Sequence, residues 1–210
     1  MGSAADFLPE RTTLPSMREA VQGCRGCDLY KDATQAVFGE GPGDARVVMV
    51  GEQPGDKEDL AGRPFVGPAG GLLDRAIEEA GLVRDDVYIT NVVKHFSHVM
   101  RGKRRIHKKP NAEQIKACTP WLEAELARTG PDVLVLLGAT AAQAMLGRSF
   151  RVTQQRGTFV ESPLAPLVTA TIHPSSILRA ETDEDRRVAF EGFVRDLHQV
   201  AAALRRRAAS

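Results

Sequence analysis

The sequence predicts a three-layer α/β/α sandwich around a mainly parallel, four-stranded sheet, within one domain spanning residues 1–210. Three observations predict it. Four short apolar runs alternate with segments of helical period. Those runs are apolar throughout instead of alternating, as in strands covered on both faces. The length of 210 residues, with 42% hydrophobic and 26% charged, suits a single substantial core.

Each element follows from its own residues. Met17, Ala20 and Val21 give a short helical pattern ahead of Cys24. "ARVVMV" (45–50) is a buried strand ending at Gly51. Leu72, Leu73, Ala76 and Ala80 set a helical period over 69–82. "VYITN" (87–91) is β-branched and aromatic, hence a strand. Asn111, followed three residues later by Gln114, opens a helix over 111–130. Ile115, Cys118, Leu122 and Leu126 share its inner face. "DVLVLLG" (132–138) and "PLVTATIH" (166–173) are further strands, and "ATAAQAMLG" is a short helix after the first of them. Residues 183–207 form a closing helix with a basic end. We find no internal repeat and no long linker.

Charge and hydropathy exclude several classes. Lys plus Arg number 28 against 27 Asp plus Glu, so no global field advertises a polyanion binder. Any such affinity comes from local clustering. No 18-residue apolar run exists, and "MGSAADFLPE" lacks the charged and apolar regions of a signal peptide. Asp6 stands where a myristoylation pattern wants Ser or Thr. We expect a cytoplasmic monomer with no membrane partner.

In parallel sheets, function gathers beyond the carboxyl ends of strands. Here those ends are "GEQPGD" (51–56), Asn91, Gly138 and "HPSS" (173–176). Glu52 is a carboxylate in a Gly-rich loop, with Gln53 and Asp56 beside it. Gln53 can hold a water but cannot act as a base. His173 opens a turn into a short helix whose start, at Ser175, suits a phosphate. Arg179 is either a nucleic-acid contact or a solvated helix residue.

Two local clusters stand out. The three cysteines, Cys24, Cys27 and Cys118, are an odd count that argues against a disulfide scaffold. Cys24 and Cys27 form a C-x2-C, which serves redox exchange or metal. This pair ends a helical pattern and not a strand, which favours metal; zinc suits the same ligands. The other cluster is "KRRIHKK" (103–109), where Lys103, Arg104, Arg105 and Lys108 surround His107. Such a run grips phosphates, with strong salt dependence. Positive neighbours also favour the neutral, nucleophilic form of an imidazole.

"GEQPGDKEDLAGRPFVGPAG" (51–70), "TNVVK" (90–94) and "HPSSILR" (173–179), in this order, resemble the three motifs of the uracil-DNA glycosylase superfamily. The resemblance covers about residues 20–200. The cysteines resemble those of its iron–sulfur, family-4-like branch. Gln53 stands where that branch has Ala, His95 where it has Cys, and the basic loop is longer. These three features resemble the X subgroup (UdgX), which stays covalently joined to the abasic sugar through a loop histidine. The resemblance implies uracil-containing DNA as partner, single-stranded favoured. Asn91 would read the base and Phe65 stack on it. His173 would donate to uracil O2, and Glu52, with Gln53 or Asp56, would support the sugar cation or order water. His107 would be the nucleophile. Lys103, Arg104, Arg105, Lys108, Ser175 and Arg179 would contact DNA. A 4Fe–4S cluster would be held by Cys24, Cys27, His95 and Cys118. The rival readings are a hydrolytic family-4-like enzyme that turns over, an iron–sulfur DNA-binding module without chemistry, and an RNA-binding protein.

Overall fold

A computed structural model describes residues 2–208; the ends of the expected 1–210 domain lie outside the described residues. Its central sheet has five strands, in the spatial order 87–91, 47–51, 133–137, 167–171 and 159–160. Strands β1 (Val47–Gly51), β2 (Val87–Asn91), β5 (Val133–Leu137) and β7 (Leu167–Thr171) are parallel neighbours. The expected four strands are all there, and a fifth is added. Strand β6 (Phe159–Val160) pairs antiparallel with β7 at the edge. Two half-buried residues leave no apolar run to read.

Side-chain alternation divides the core in two. Val48, Val50, Leu134 and Leu136 face one way, packing with Met17, Trp121 and Leu122. Val47, Met49, Val133 and Val135 face the other, packing with Leu73, Ile77, Phe193 and Leu197. The helices supply these partners. Helices α1 (Leu14–Ala20) and α4 (Ala112–Thr129) cover the first face; α3 (Pro68–Glu79) and α8 (Asp183–Ala208) cover the second. Helix α4 begins as its sequence requires: Asn111 Oδ1 accepts from the Gln114 N–H, and Gln114 Oε1 accepts from the Asn111 N–H. It ends at Gly130, in the left-handed conformation. Short helices α2 (Asp56–Ala61), α5 (Ala139–Leu146), α6 (Val152–Gln155) and α7 (Pro174–Leu178) follow strand ends or line the loops between them.

The basic segment is not a plain loop. Strands β3 (His98–Arg101) and β4 (Arg104–His107) form an antiparallel hairpin. Gly102, at φ +61°, makes its turn. His98 pairs with His107, and Met100 with Arg105.

Candidate active site

The carboxyl ends of the parallel strands open into a pocket of about 790 Å³. Glu52 and Gln53 enter after β1, Asn91 ends β2, Gly138–Thr140 follow β5, and His173–Ser176 follow β7. His107 comes from the hairpin, and Phe65 from the loop before α3.

Asn91 and Phe65 meet over a glycine. A Cβ at Gly51 would stand 2.3 Å from Asn91 Oδ1 and 2.8 Å from Phe65 Cζ. Only hydrogen there lets both side chains reach the pocket. Phe65 itself has φ +55°, rare for a bulky residue, and so carries backbone strain at the site. Asn91 is buried, yet its Oδ1 has no hydrogen-bond partner among the described residues. A buried acceptor left open at a pocket wall suits a ligand donor. The Phe65 ring lies 5.8 Å from the His173 ring.

His173 is fixed by the turn that follows it. Its Nδ1 accepts from the Ser175 N–H at 3.1 Å and lies 2.8 Å from Ser175 Oγ. The neutral ring therefore carries its proton on Nε2. Burial lowers the imidazole pKa to about 4, with Glu52 pulling the other way. This arrangement overturns the phosphate site expected at the start of α7. The Ser175 N–H serves His173 Nδ1 and the Ser176 N–H serves His173 O. Arg179 Nη1 donates to Ser175 Oγ at 3.1 Å, so Ser175 braces the histidine and Arg179 braces Ser175.

A pH dependence follows. With a folded pKa of about 4 against an ordinary 6.5, His173 binds its proton first in the unfolded chain as pH falls. Its contribution is whole above pH ~6.5 and lost towards pH ~4, about 3 kcal/mol in all. Urea midpoints at pH 7.5 and 4.5 check this: the drop should be smaller in His173→Gln than in the parent. An equal drop in both would contradict it.

Glu52 Oε1 stands 3.2 Å from His107 Nε2. The contact has ion-pair distance without hydrogen-bond alignment, and that oxygen has no other hydrogen-bond partner among the described residues. Burial raises the Glu52 pKa, but His107, Thr140 and His173 outweigh it and hold the carboxyl below its ordinary value. The expectation of cations crowded round His107 is thus corrected in part: a carboxylate stands at ion-pair distance from its ring.

Gln53 has a different task from the expected water-holding one. Its Oε1 accepts from the Ser97 N–H at 2.9 Å, and its Nε2 donates to Ser97 O and Lys108 O, both at 3.1 Å. The carboxamide ties both ends of the hairpin to the Glu52 loop. Ser97 O keeps the Lys108 N–H at 2.9 Å, but Gln53→Ala takes the partner from the buried Ser97 N–H and from Lys108 O, so stability should fall by about 1–3 kcal/mol. Hydrogen exchange at the Ser97 and Lys108 amides should rise with it; unchanged protection would contradict the tether.

Asp56 and Arg105 also change roles. Asp56 does not line the pocket; its Oδ1 accepts from Arg105 Nε at 2.6 Å. Arg105 also donates to Asp59 Oδ2 at 2.5 Å and Thr34 Oγ1 at 3.0 Å, and its guanidinium lies 5.5 Å from the Phe96 ring centroid. It therefore anchors the hairpin to α2 and is not a free phosphate contact. Lys103, Arg104 and Lys108 are exposed on or beside the hairpin.

The model of the uracil DNA glycosylase superfamily matches residues 38–198. The chain belongs to that superfamily. It is similar to the type-4 uracil-DNA glycosylase of Thermotoga maritima, 41% identical over 174 residues, which are 82% of this chain and 87% of that protein. It is similar as well to the type-4 enzyme of Pyrobaculum aerophilum, 35% identical over 79% of this chain and 85% of that one. A type-5 uracil-DNA glycosylase of Thermus thermophilus is 34% identical over 52% of this chain.

In this superfamily member the three cysteines are buried and unbridged. The Cys118 thiol is pushed up to about 12 by burial; Lys94 opposes that rise, while Cys27 and Cys24 add to it. Trp121 Nε1 lies 3.2 Å from Cys24 Sγ, and the Lys94 N–H donates to Cys118 Sγ at 3.3 Å. N–H groups aimed at sulfur suit thiolates that hold a metal group. Among the described residues no three His, Cys, Asp or Glu side chains group closely enough to hold a single metal ion. A cluster is wider than an ion, and its ligands stand further apart. His95 is buried, which lowers its pKa to about 4, and its charged neighbour is Asp59.

Some pocket residues escaped the sequence reading. Thr140 follows the anticipated Gly138, lines the pocket and helps hold the Glu52 carboxyl below its ordinary pKa. Glu58 lines the pocket, and its Oε1 accepts from the Gly67 N–H at 2.8 Å, closing the loop that carries Phe65. Gly138 was a visible pointer to the first. Nothing in the local pattern marked the second.

Proposed function

We propose that this chain releases uracil from DNA and then captures the abasic sugar on His107. The observation that carries the capture is the His107–Glu52 contact in the wall of a pocket that also presents Asn91, Phe65 and His173. The relatives named as type-4 uracil-DNA glycosylases favour the hydrolytic, multiple-turnover reading, which is the second reading here.

Uracil offers an N3–H donor that suits the open Asn91 Oδ1, and the Asn91 amide donates to O4. Cytosine reverses both, and such a bidentate pair discriminates by about 1–3 kcal/mol. Phe65 stacks on the extruded ring. As the C1′–N1 bond breaks, its electron pair leaves with uracil. The Nε2–H of neutral His173 donates to O2, where negative charge gathers; one such donor supplies about 3–4 kcal/mol. Glu52 stabilises the sugar cation. The unprotonated ring nitrogen of His107 then gives its lone pair to C1′. The proton on the other ring nitrogen faces Glu52, and its passage through solvent to the uracil anion balances the reaction. In the hydrolytic reading Glu52 orients a water at C1′ instead.

Lys103, Arg104, Lys108 and Arg179 would meet the DNA backbone, with single strands favoured. Cys24, Cys27, Cys118 and His95 would hold a 4Fe–4S cluster, supported by the buried thiols and their N–H donors. When bound, the cluster would pin the N-terminal segment to α4 and the segment after Asn91. Purified protein should show a broad visible absorbance that Cys118→Ser removes. A colourless protein containing zinc would contradict the iron assignment.

The test of the function is a single-stranded oligomer with one uracil, mixed with protein, boiled and run on a denaturing gel. A slow protein–DNA band supports capture. Free abasic DNA in excess of protein supports hydrolysis, and unchanged DNA contradicts both.

A further inference from the structure

Lys94 and Glu125 form a fully buried ion pair beneath the pocket. Neither group takes part in the reaction above. Burying two charges demands full hydrogen bonding, and this pair has it. Lys94 Nζ donates to Thr90 Oγ1 and to the Asn91 main-chain oxygen, each at 2.7 Å, and to Glu125 Oε2. All three ammonium protons have acceptors. Glu125 in turn accepts from the Gly39 N–H at 3.0 Å, the Tyr88 hydroxyl at 2.9 Å and the Thr90 hydroxyl. One carboxylate on α4 thus gathers two side chains of β2 and the strand's last residue through the lysine.

That last residue is Asn91, whose carboxamide projects over Gly51 with its oxygen open to the pocket. The main chain just past Asn91 stays tied to the β1 side, the Val92 N–H donating to Gly51 O at 2.9 Å and the Val93 N–H to Glu52 O at 3.0 Å, while the Asn91 carbonyl points away from β1. The ammonium grips that carbonyl. The main chain of Lys94 is itself held at both ends: its N–H meets Cys118 Sγ, and its oxygen accepts from the Val37 N–H at 2.7 Å.

We propose that Lys94, neutralised by Glu125, is the positioning residue that aims the Asn91 carboxamide at the base. This rests on the reading of the chain as a uracil-releasing enzyme. A buried pair kept for stability alone would act on folding and not through one side chain.

A double-mutant cycle separates the two. Single-turnover rates of uracil release are measured for the parent, Lys94→Met, Asn91→Ala and the combination, with Tm recorded for each. Lys94→Met should slow release by about tenfold or more, since small misplacements of a binding group cost this much. In the Asn91→Ala background it should change the rate less than about twofold, because the residue it acts through is gone. Equal factors in both backgrounds would overturn the proposal. If Lys94→Met folds poorly, Lys94→Met with Glu125→Gln removes both buried charges. This pair should recover Tm but not rate, as Asn91 still lacks its donor; recovery of both would overturn the proposal too. A parent that releases no uracil would mark failure of the functional reading instead.

Discussion

If His107 captures the sugar as proposed, His107→Ala should abolish the boil-resistant protein–DNA species and turn a one-equivalent reaction into a repeating one. The parent should release one uracil per chain and stop, because a C–N bond to imidazole has no easy exit. A ring tethered beside C1′ has an effective concentration of ~10⁵ M or more, so water competes poorly while the ring is present. Removing it leaves Asn91, Phe65 and His173 in place, and Glu52 faces the vacated space where water can attack. The first release should therefore stay within about tenfold of the parent, the whole of general-base assistance being worth ~10²–10⁴. Burst amplitude against enzyme concentration reads this directly. An adduct that survives the change would assign the bond to another residue.

Gly51→Ala should cost about 10²-fold or more in uracil release, with the fold kept. The added methyl would stand 2.3 Å from Asn91 Oδ1 and 2.8 Å from the Phe65 ring. Both must move, and Phe65 has little room to do so. A Cβ at Gly70 would meet Phe65 O at 1.5 Å, which shows how closely α3 presses on its main chain. On the proposed reading the base would lose its reader and its stacking partner together, and displacement of about 1 Å costs ~10²-fold. Gly71→Ala is the control: a Cβ there meets nothing within 4 Å, in the interior of α3. That variant should gain about 0.4–1 kcal/mol of stability at unchanged activity. Equal activity of the two variants would contradict the account.

The sheet was legible because its parallel strands are buried on both faces and so read as unbroken apolar runs. Glu52, Asn91 and His173 were legible for a related reason: each ends or follows such a run, where a crossover fold leaves its cleft. The edge strand β6 was not, having two half-buried residues and no run. Nor was the hairpin, whose exposed, basic strands carry no burial alternation. Its register is set from outside, by Gln53 reaching residues 44 and 55 positions away and by Arg105 reaching Asp56 across 49. A charged residue in a basic run looks like any other until its partner is known. From sequence alone Arg105 reads as a phosphate contact for this reason, and Asp56 as a catalytic carboxylate. Lys94 lies inside a motif, yet its ion pair is hidden from the local pattern, because Glu125 is 31 positions further along.

The most direct measurement is the intact mass of the product formed with a single-stranded oligomer bearing one uracil, followed by peptide mapping. Capture predicts protein plus oligomer minus one uracil, with the added sugar on the peptide that contains His107. Unmodified protein beside free abasic DNA, in amounts exceeding the protein, would contradict it.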